Sequence, residues 1–469
     1  MGLGSSLDIQ QVCIQGLGFV GAAMAVAVAS ARAHDGSVLY HVTGVDRETP
    51  EGRARVDAMC RGEFPFPTAD AALHGALSLA HKTGNLLATT DESAYSFADV
   101  VVIDVSFDIS FRDREPQFQM TGLERAVRSV AKRIPEGALL LVETTVPPGT
   151  CEKVVIPILE QELQCRGLDK STVHLAHSFE RVMPGDTYLD SIINFWRVYS
   201  GSTLEAADAC EIFLSSIVDT ERYPLTRLSS MTASETAKVL ENTYRAVNIA
   251  FIDEWTKYAE SVGVDLFEIT DAIRVRPTHS NIRYPGLGVG GYCLTKDPAF
   301  APAAARQIFN QDGLDFPFSQ LAMQVNQKMP VHSVGRLEAL LNGCFKESSI
   351  LVLGASYRQD VGDTRYSPVE HLVRALEQRG ARVFIFDPYV DHWPEMNRPL
   401  LVSLPVPNGF DAVVLATAHR EFAEMNLVEW LGDNRPVVLD TTNVISAYQR
   451  QLCREAGIRV ESVGRGDGL

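Results

Sequence analysis

A glycine pattern near the start of the chain constrains the fold more than any other feature of the sequence. Gly16, Gly18 and Gly21 form a G-x-G-x-x-G pattern that directly follows a short β run and opens a helical stretch. Gly16 allows a tight turn, Gly18 lets the backbone approach a pyrophosphate, and Gly21 lets the helix and the strand pack closely. The helix N-terminus offers N–H groups and partial positive charge to phosphates. The pattern therefore predicts a β-α-β unit that binds a dinucleotide.

The second predicted strand ends in an acidic residue, Asp46. It lies about 20 to 30 residues beyond the glycines, where a carboxylate can accept hydrogen bonds from ribose hydroxyl groups. Because a carboxylate also repels a 2′-phosphate, we predict NAD rather than NADP as the cofactor. Two alternatives stay open: Asp46 merely caps the strand, or the neighbouring Arg47 allows NADP as a minor cofactor.

Strand-like and helix-like segments alternate at both ends of the chain. This alternation predicts an α/β fold with two Rossmann-like, doubly wound domains, each built on a parallel sheet. In the first domain we predict strands at 11–15, 42–46, 100–105, 138–143 and 173–177, with helices at 22–32, 123–133 and 151–164. In the second we predict strands at 349–354, 383–387, 411–416 and 436–440, with a helix at 368–379.

The middle of the chain has a different character. Residues 234–262 contain no proline, and apolar residues recur there at helical spacing. Ser234 followed by Glu235 is a reasonable start signal. A helix of about 28 residues spans roughly 40 Å at 1.5 Å per residue. That exceeds a usual globular helix and predicts a spine between the two domains or a subunit interface.

Length and composition limit the class of protein. A chain of 469 residues suits two or three domains. The net charge of -17 disfavours nucleic acid, and no apolar run reaches the ~18 residues that cross a bilayer, so we expect neither partner. The eight cysteines include no C-x-x-C pair, so we expect neither a metal site nor a disulfide framework. The polar N-terminus lacks a basic secretory start, and we expect a cytoplasmic protein.

The segment 284–297 carries the strongest sign of chemistry. Four glycines precede Cys293, which predicts a mobile loop that lets a ligand approach the backbone. Lys296 and Asp297 follow closely, and a nearby cation lowers a thiol pKa from about 8.5 and raises the thiolate fraction. The residues alone predict a nucleophile at Cys293 and leave a buried structural thiol as the alternative.

Two polar residues of the long helix form a second candidate. Lys238 and Asn242 are four residues apart and therefore lie on one face. On a mostly apolar helix this pair can donate hydrogen bonds to a developing oxyanion. The alternative is an ordinary solvated face.

Six ordered motifs together resemble the UDP-glucose/GDP-mannose dehydrogenase family over nearly the whole chain. The resemblance implies an NAD-binding Rossmann domain (1–228), a central helical dimerisation domain with the cysteine loop (229–328), and a nucleotide-sugar-binding Rossmann-like domain (329–469). The motifs are G-L-G-F-V-G (16–21), T-T-V-P-P-G-T (144–150), F-E-R-V-M-P-G (179–185), E-T-A-K-V-L-E-N-T-Y-R-A-V-N (235–248), G-V-G-G-Y-C-L-T-K-D-P (288–298) and G-D-T-R-Y-S-P (362–368).

The resemblance also implies roles for individual residues. The catalytic set is Cys293 as nucleophile, Glu180 and Lys238 as acid/base groups, Asn242 as oxyanion partner, and Thr145 and Asp297 for water and proton transfer. The implied NAD contacts are Gly16, Gly18, Phe19, Val20, Gly21, Asp46, Val105, Ser106, Thr144, Thr145, Lys296 and Arg365. The implied substrate contacts are Glu180, Arg181, Lys238, Asn242, Tyr284, Gly288, Gly290, Tyr357 and Arg358.

The implied reaction is the four-electron oxidation of a nucleotide-sugar at C6, through a thiohemiacetal and a thioester on the cysteine. A homodimer through the central helix and a role in polysaccharide biosynthesis are implied with it. The Glu-Arg-Val-Met-Pro-Gly form leans towards the branch that handles UDP-N-acetylhexosamines, with UDP-glucose as the other candidate. Covalent capture keeps a reactive aldehyde from escaping and divides a hard oxidation into easier steps.

Four positions depart from the family pattern and put the specificity for sugar and nucleotide in doubt. They are Phe179 for a proline, 106–108 for a Thr-Pro segment, Arg358 for a lysine and Thr442 for an arginine. A lost arginine removes a charge-assisted bond. Either another arginine replaces it, for example Arg274, Arg276 or Arg283 across a dimer interface, or the ligand is unusual.

Two alternative functions remain at the level of the sequence. A two-electron dehydrogenase of a small hydroxy acid would need the lysine and the asparagine, but Cys293 in its glycine loop counts against it. A nucleotide-sugar-binding paralogue without turnover is kept open by the changes at 106–108 and Thr442, although every catalytic position is filled.

Overall fold

The computed structural model describes residues 10–33, 35–112, 115–343 and 345–466. Residues 1–9, which make up most of the expected non-secretory start, and Cys344 lie outside these ranges. The chain packs into two compact units. The first comprises Met1–Leu240 and Ala299–Asp315, and the second comprises Glu241–Pro298 and Phe316–Leu469.

The strands and helices alternate in the predicted order. The strands are β1 (Gln10–Gln15), β2 (Tyr40–Val45), β3 (Leu86–Thr89), β4 (Val100–Ile103), β5 (Ile109–Arg112), β6 (Glu115–Phe118), β7 (Leu139–Val142), β8 (His174–Phe179), β9 (Val198–Gly201), β10 (Thr226–Arg227), β11 (Ser349–Leu353), β12 (Arg382–Phe386), β13 (His392–Trp393), β14 (Arg398–Pro399), β15 (Ala412–Leu415), β16 (Val437–Asp440) and β17 (Val460–Ser462). The helices are α1 (Phe19–Ser30), α2 (Pro50–Cys60), α3 (Ala71–Thr83), α4 (Thr121–Ala131), α5 (Ile156–Cys165), α6 (Asp190–Ile193), α7 (Leu204–Ser215), α8 (Met231–Val262), α9 (Leu266–Arg274), α10 (Phe300–Gln307), α11 (Pro317–Leu340), α12 (Pro368–Gln378), α13 (Arg420–Glu424), α14 (Leu427–Leu431) and α15 (Ala447–Glu455).

The first unit is built on an eight-stranded sheet in the order β10-β9-β8-β7-β4-β1-β2-β3. Its neighbouring strands pair in parallel, except that β8 and β9 are antiparallel. The sequence did not predict this antiparallel pair. The strand order reverses between β1 and β4, which is where a doubly wound sheet opens a ligand crevice at the carboxyl ends of its strands. Gln15 pairs with both Val45 and Ile103, so Gly16, Asp46 and Asp104 follow at the same edge of the sheet.

The second unit has a five-stranded parallel sheet in the order β12-β11-β15-β16-β17. Strands β11 and β15 are buried along their whole length, as expected for parallel strands covered on both faces. The two sheets confirm the predicted fold class of two Rossmann-like α/β domains and a long central helix. No helix among the described residues is long and apolar enough to cross a lipid bilayer.

The long central helix begins earlier than its sequence signal indicates. Helix α8 has 32 residues and starts at Met231 rather than at Ser234. The Ser230 hydroxyl accepts a hydrogen bond from the Ala233 amide at 3.1 Å, which is the geometry of an N-cap. Ser234 is buried inside the helix, where its hydroxyl lies 2.6 Å from His177 Nδ1. The Ser234 start signal was therefore wrong.

Candidate active site

The glycine turn after β1 has the geometry that the sequence predicts. Gly16 adopts a φ of +95°, and a Cβ there would lie 2.5 Å from the Asp104 carbonyl oxygen. A Cβ on Gly21 would overlap the Gly16 carbonyl oxygen, so helix and turn pack at glycine distance. A Cβ on Gly18 would meet nothing within 4 Å, and no described side chain caps helix α1 at this residue. The turn therefore has open space at the helix N-terminus, as a bound dinucleotide phosphate requires.

Asp46 completes this side of the site. Its Oδ2 accepts hydrogen bonds from the Leu17 amide at 3.2 Å and from Arg55 Nε at 2.8 Å, and its Oδ1 accepts from the Arg47 amide at 2.7 Å. The carboxylate is thus tied to the glycine turn, and the simple strand-cap alternative is insufficient. Arg55 as a direct partner of Asp46 was missed, because its position nine residues later carries no motif. Together these residues fit a dinucleotide cofactor.

The predicted cofactor residues at the ends of β4 and β7 lie side by side. The Thr144 hydroxyl donates to the Val105 carbonyl at 2.8 Å, so these two residues are brought together, and Thr145 follows them half-buried. Ser106 is exposed, whereas Phe107 is buried and packs edge-on against Phe300 at 5.4 Å between ring centroids. The departure at 106–108 therefore has a structural reason, since Phe107 fills the core. Phe19 and Val20 form the first turn of α1, and both are half-buried.

Glu180 and Lys238, the two residues assigned as acid/base groups, are in contact. Lys238 Nζ donates to the Glu180 carbonyl oxygen at 2.7 Å and lies 4.0 Å from Glu180 Oε1. The Glu180 carboxylate also accepts from the Val182 amide. Phe179, another departure from the family pattern, places its ring 5.3 Å from the lysine nitrogen and 5.1 Å from the guanidinium carbon of Arg181. Its aromatic face therefore supports two cations beside the glutamate.

A buried ionic cluster behind this edge was not predicted. Arg197 forms an ion pair with Glu143, and both side chains are fully buried. Burial, followed by the charge of Glu143, raises the pKa of the adjacent Asp104 well above its usual range. Asp104 and Glu143 directly follow β4 and β7, whose register places them next to one another. The pairing was missed because Arg197 is more than fifty residues away in the sequence.

Glu235, part of the predicted helix start signal, has a structural role inside the helix. Its two carboxylate oxygens accept hydrogen bonds from the Gly149 amide at 2.6 Å and the Cys151 amide at 2.7 Å. Burial raises the pKa of Glu235 to about 7, although these amide hydrogen bonds act in the opposite direction. The helix α8 thereby holds the T-T-V-P-P-G-T loop that carries Thr144 and Thr145.

The loop before Cys293 is held by close packing. A Cβ on Gly288 would lie 2.7 Å from Pro368, one on Gly291 would lie 2.7 Å from the Tyr357 ring, and one on Gly290 would overlap Tyr357 Cβ. Gly291 also has a φ of +82°. These glycines are therefore required by neighbouring protein atoms, a reason that the prediction of a mobile loop did not include. Cys293 itself is exposed, which rules out the buried structural thiol.

Asp297 connects Asn242 and Lys296 in the second unit. It is fully buried, and its Oδ2 accepts from Asn242 Nδ2 at 2.7 Å while its Oδ1 accepts from Lys296 Nζ at 2.7 Å. The amides of Lys296 and Asp297 both donate to the Cys293 carbonyl, which closes a tight turn behind the thiol. Lys238 and Asn242 are both buried on α8, so the solvated-face alternative is wrong.

The side chains of Tyr357 and Arg365 interact electrostatically with Cys293. Burial, then the charges of Asp363 and Cys293, raise the pKa of Tyr357 to about 12. Burial alone would lower the pKa of Arg365, but hydrogen bonds and charge from Asp363 raise it, and a Cys293 thiolate adds to that rise. The coupling is reciprocal, so Arg365 favours the ionised thiol. Arg358 follows Tyr357 half-buried.

Tyr284, the first residue of the loop, packs against one aromatic and one basic side chain. Its ring stacks on Phe267 at 5.7 Å, and the Arg274 guanidinium carbon lies 4.6 Å from the ring centroid.

Near Thr442, where the family pattern has an arginine, Arg450 donates to Asp440 at 2.6 Å and Arg465 donates to Asn443 at 3.2 Å. Two other arginines thus lie at this turn.

One trio of described residues has metal-ligand spacing: Asp360, His419 and Glu421. His419 Nδ1 accepts from the Asp360 amide at 2.9 Å, and Nε2 lies 3.1 Å from Asp387 Oδ2. Both ring nitrogens are therefore engaged by protein groups. This geometry favours a structural histidine over a metal ligand.

Comparison with known proteins identifies the family of this chain. Three sequence profiles of the UDP-glucose/GDP-mannose dehydrogenase family match it: the NAD binding domain at 10–212, the central domain at 232–328 and the UDP binding domain at 351–447. UDP-N-acetyl-D-mannosamine dehydrogenase of Pyrococcus horikoshii is 32% identical over 97% of this chain and 100% of the relative. NDP-N-acetyl-D-galactosaminuronic acid dehydrogenase of Ralstonia solanacearum is 27% identical over 94% of this chain and 97% of the relative.

A solved structure is similar over the same length. The UDP-D-ManNAc dehydrogenase of Pyrococcus horikoshii superimposes with a TM-score of 0.80 at 29% identity, covering 97% of this chain and 100% of that one. These similarities confirm the predicted recognition, NAD as the cofactor, a nucleotide-sugar as the ligand, and NAD-dependent nucleotide-sugar dehydrogenase activity. The chain belongs to the UDP-glucose/GDP-mannose dehydrogenase family.

Proposed function

We propose that this dehydrogenase oxidises the C6 hydroxymethyl group of a UDP-linked N-acetylhexosamine to a carboxylate through a covalent intermediate on Cys293. UDP-N-acetyl-D-mannosamine is the first candidate substrate, because the relative that is 32% identical acts on it. The observation that supports this proposal most directly is the exposed thiol of Cys293. It lies on a turn that packs against Tyr357 and is held by the hydrogen bonds of Asn242 and Lys296 to Asp297.

The cofactor would be held by the glycine turn of 16–21 and by Asp46, with Val105, Thr144 and Arg365 also near its path. NAD, when bound, accepts one hydride in each of two oxidation steps. The overall reaction is RCH2OH + 2 NAD⁺ + H2O → RCOO⁻ + 2 NADH + 3 H⁺. The hydrogen bond from Leu17 to Asp46 keeps the acceptor carboxylate fixed against the glycine turn.

Cys293 separates the two oxidations. Its thiolate adds to the aldehyde carbon formed in the first step, which creates a C–S bond and an alkoxide that takes up a proton. Loss of that proton and a hydride yields a thioester. Water then attacks the thioester, and the C–S bond breaks to release the carboxylate and the thiol. Arg365 supports this sequence because its charge favours the thiolate as nucleophile and leaving group.

Polar side chains of both units would move the protons. We assign Lys238 to proton transfer at the C6 oxygen and Asn242 to stabilising the oxyanion. Glu180 would activate the hydrolytic water, with Thr145 and Asp297 positioning it. Each is already oriented: Lys238 by the Glu180 carbonyl and Asn242 by Asp297.

For substrate binding we propose residues that follow β8, residues along the glycine loop and residues that follow β11. They are Arg181, Tyr284, Gly288, Gly290, Tyr357 and Arg358, with Lys296 shared with the cofactor. The three-part division at 1–228, 229–328 and 329–469 remains our proposal, although its second boundary falls inside α11. A reducing, cytoplasmic setting would keep Cys293 as a thiol.

A homodimer is the second part of the proposal. Helix α8 exposes one stripe of large apolar side chains at spacings of three, four and seven residues: Leu240, Tyr244, Phe251, Trp255, Tyr258 and Val262. At 100° per residue they fall within about 60° of the helix circumference. Exposed apolar patches of this kind mark protein interfaces, and a second copy of α8 would cover the stripe.

The function is tested by counting NADH per sugar. We expect one UDP-N-acetylhexosamine, among a panel that includes UDP-glucose and GDP-mannose, to yield two NADH for each molecule consumed. One NADH for each molecule would establish a two-electron dehydrogenase instead. No NADH across the panel would contradict the proposed substrate class.

A further inference from the structure

A cavity of about 370 Å³ lies in the second unit, away from the cysteine turn. We call it the basic cavity. It is formed by the end of α8, the second half of α11 and the residues around β17. Five basic side chains line it: Lys257, His332, Arg336, Arg459 and Arg465. In a chain with a net charge of -17, such a concentration of basic groups is unusual.

Two carboxylates at the wall of the basic cavity are already satisfied. Glu260 accepts hydrogen bonds from His332 at 2.6 Å and from the Gly464 amide at 2.7 Å, and Arg336 lies 2.9 Å away. Glu461 accepts from Arg336 at 2.8 Å and from Arg459 at 2.8 Å. Both side chains are only 7% exposed, so they form an inner layer beneath the cations. The five basic side chains therefore outnumber the two carboxylates that line the cavity.

Two of the cations are accessible to a ligand. The side chains of Lys257 and Arg459 are 47% and 57% exposed. Lys257 pairs with Asp253 and Arg465 pairs with Asp265, carboxylates that are not part of the cavity lining. Because the Asp253 side chain is only 3% exposed, an anion would bind Lys257 alongside this carboxylate rather than displace it.

The position of the basic cavity separates it from the proposed chemistry. Asn242 and Lys257 lie on the same helix, fifteen residues apart, which corresponds to about 22 Å at 1.5 Å per residue. The volume falls in the range of about 300–1,000 Å³ that small-molecule sites occupy. Arginine forks and lysine point charges from three segments are the groups that bind phosphate oxygens.

We propose that the basic cavity is a second ligand site that binds a diphosphate group, either free or carried by a nucleoside. Two linked phosphates span cations from separate segments, whereas a single phosphate would engage fewer of them. The bound anion would connect α8, α11 and β17 and so stabilise the second unit. This inference does not depend on the proposed substrate.

The test compares two charge-deletion variants of the full chain. The Lys257→Ala/Arg459→Ala variant removes the two most exposed basic side chains of the cavity. The Lys170→Ala/Arg435→Ala control removes two exposed basic side chains elsewhere. Inorganic diphosphate and UDP are each titrated calorimetrically into wild type and both variants, at low and moderate salt, with NAD saturating.

We expect inorganic diphosphate to bind wild type and the control alike, and to bind the cavity variant at least tenfold more weakly. NADH formation without diphosphate should be unchanged in both variants. If UDP binds the affected site more tightly than inorganic diphosphate does, the ligand is a diphosphate carried by a nucleoside. If the two affinities are equal, the ligand is the free diphosphate. Equal diphosphate affinity in all three proteins, or no binding to wild type, would overturn the proposal.

Discussion

At the scale of single residues, the candidate site depends on buried polar groups whose hydrogen-bonding capacity is shared between neighbours. Asp297 has no exposed surface, yet one carboxylate oxygen serves Asn242 and the other serves Lys296. Removing one partner of such a group would leave a buried charge without compensation, which costs about 3–5 kcal/mol. The same logic applies to Asp46, where Leu17, Arg47 and Arg55 supply the donors.

Replacing Asp46 tests the choice of cofactor. We expect Asp46→Asn to lower kcat/KM for NAD by about 10- to 100-fold, because a hydrogen bond to a charged group contributes about 1.5–3 kcal/mol. The ratio of NADP to NAD activity should rise, since Arg55 loses its carboxylate partner and can meet a 2′-phosphate. Steady-state kinetics with both cofactors measures this.

The matched control for that experiment is Asp57→Asn, which removes the same charge from an exposed position of α2. It should leave both kinetic constants unchanged. If Asp46→Asn gives the same NADP-to-NAD ratio as wild type, Asp46 does not select the cofactor.

Residues within recognisable motifs could be predicted from the sequence, while their distant partners could not. Gly16, Gly21 and Cys293 carry their signals in adjacent residues. The Arg197–Glu143 pair and the Glu235 contact to the Gly149 amide join segments more than fifty residues apart. Those contacts arise from strand register and helix placement, which residue spacing alone does not contain.

At the scale of elements, the first β-α-β unit shows how tightly helix and sheet pack. Every residue of α1 from Gly21 to Ala29 is buried, and most of these side chains are small. A helix that is apolar on all sides belongs in the interior. The close approach at Gly21 is what allows this helix to start directly at the turn.

Two glycine substitutions should have opposite effects on stability. Gly21→Ala would place a Cβ on the Gly16 carbonyl oxygen, so we expect a loss of about 2 kcal/mol or more in the free energy of unfolding, together with weaker NAD binding. Gly75→Ala, within α3, meets nothing within 4 Å. There the gain in helix propensity should stabilise by about 0.5–1 kcal/mol. Urea unfolding measures both, and a neutral or stabilising Gly21→Ala would contradict the packing argument.

Periodicity located the main elements but not all of their ends. Most predicted boundaries lie within one to three residues of those observed, because buried strands and amphipathic helices carry local patterns. The start of α8 was misplaced because Ser230 and Ser234 are equally good caps in sequence, and burial against His177 determines which one lies inside the helix. The β5–β6 hairpin was missed because its strands lack the continuous apolar run that marks β4 and β7, and the two-residue strands β13 and β14 are too short to show a pattern.

At the scale of the whole molecule, the proposed homodimer depends on the exposed apolar face of α8. The apolar stripe on α8 would be costly to leave in water, because its six large side chains lie on one face between Leu240 and Val262. From the length of the helix alone, the sequence predicted either a spine between domains or a subunit interface. It could not show which face was exposed.

A charge in the stripe should separate the two copies. We expect Trp255→Glu to sediment as a monomer at micromolar concentrations where wild type is a dimer, because a carboxylate would be buried unpaired at the interface. Val402→Glu, at an apolar position that is 91% exposed and outside the stripe, is the control and should remain dimeric. Analytical ultracentrifugation decides, and a monomeric wild type would refute the interface.

We propose that Cys293 holds the sugar covalently between the two oxidations. The most direct measurement is a single-turnover experiment with Glu180→Gln, in which the hydrolytic step should be slowed. We predict a burst of two NADH for each chain and a nucleotide-sugar adduct that peptide mass mapping places on Cys293. With Cys293→Ala added, the adduct should vanish and at most one NADH should form. Two NADH without Cys293, or an adduct on another residue, would contradict the account.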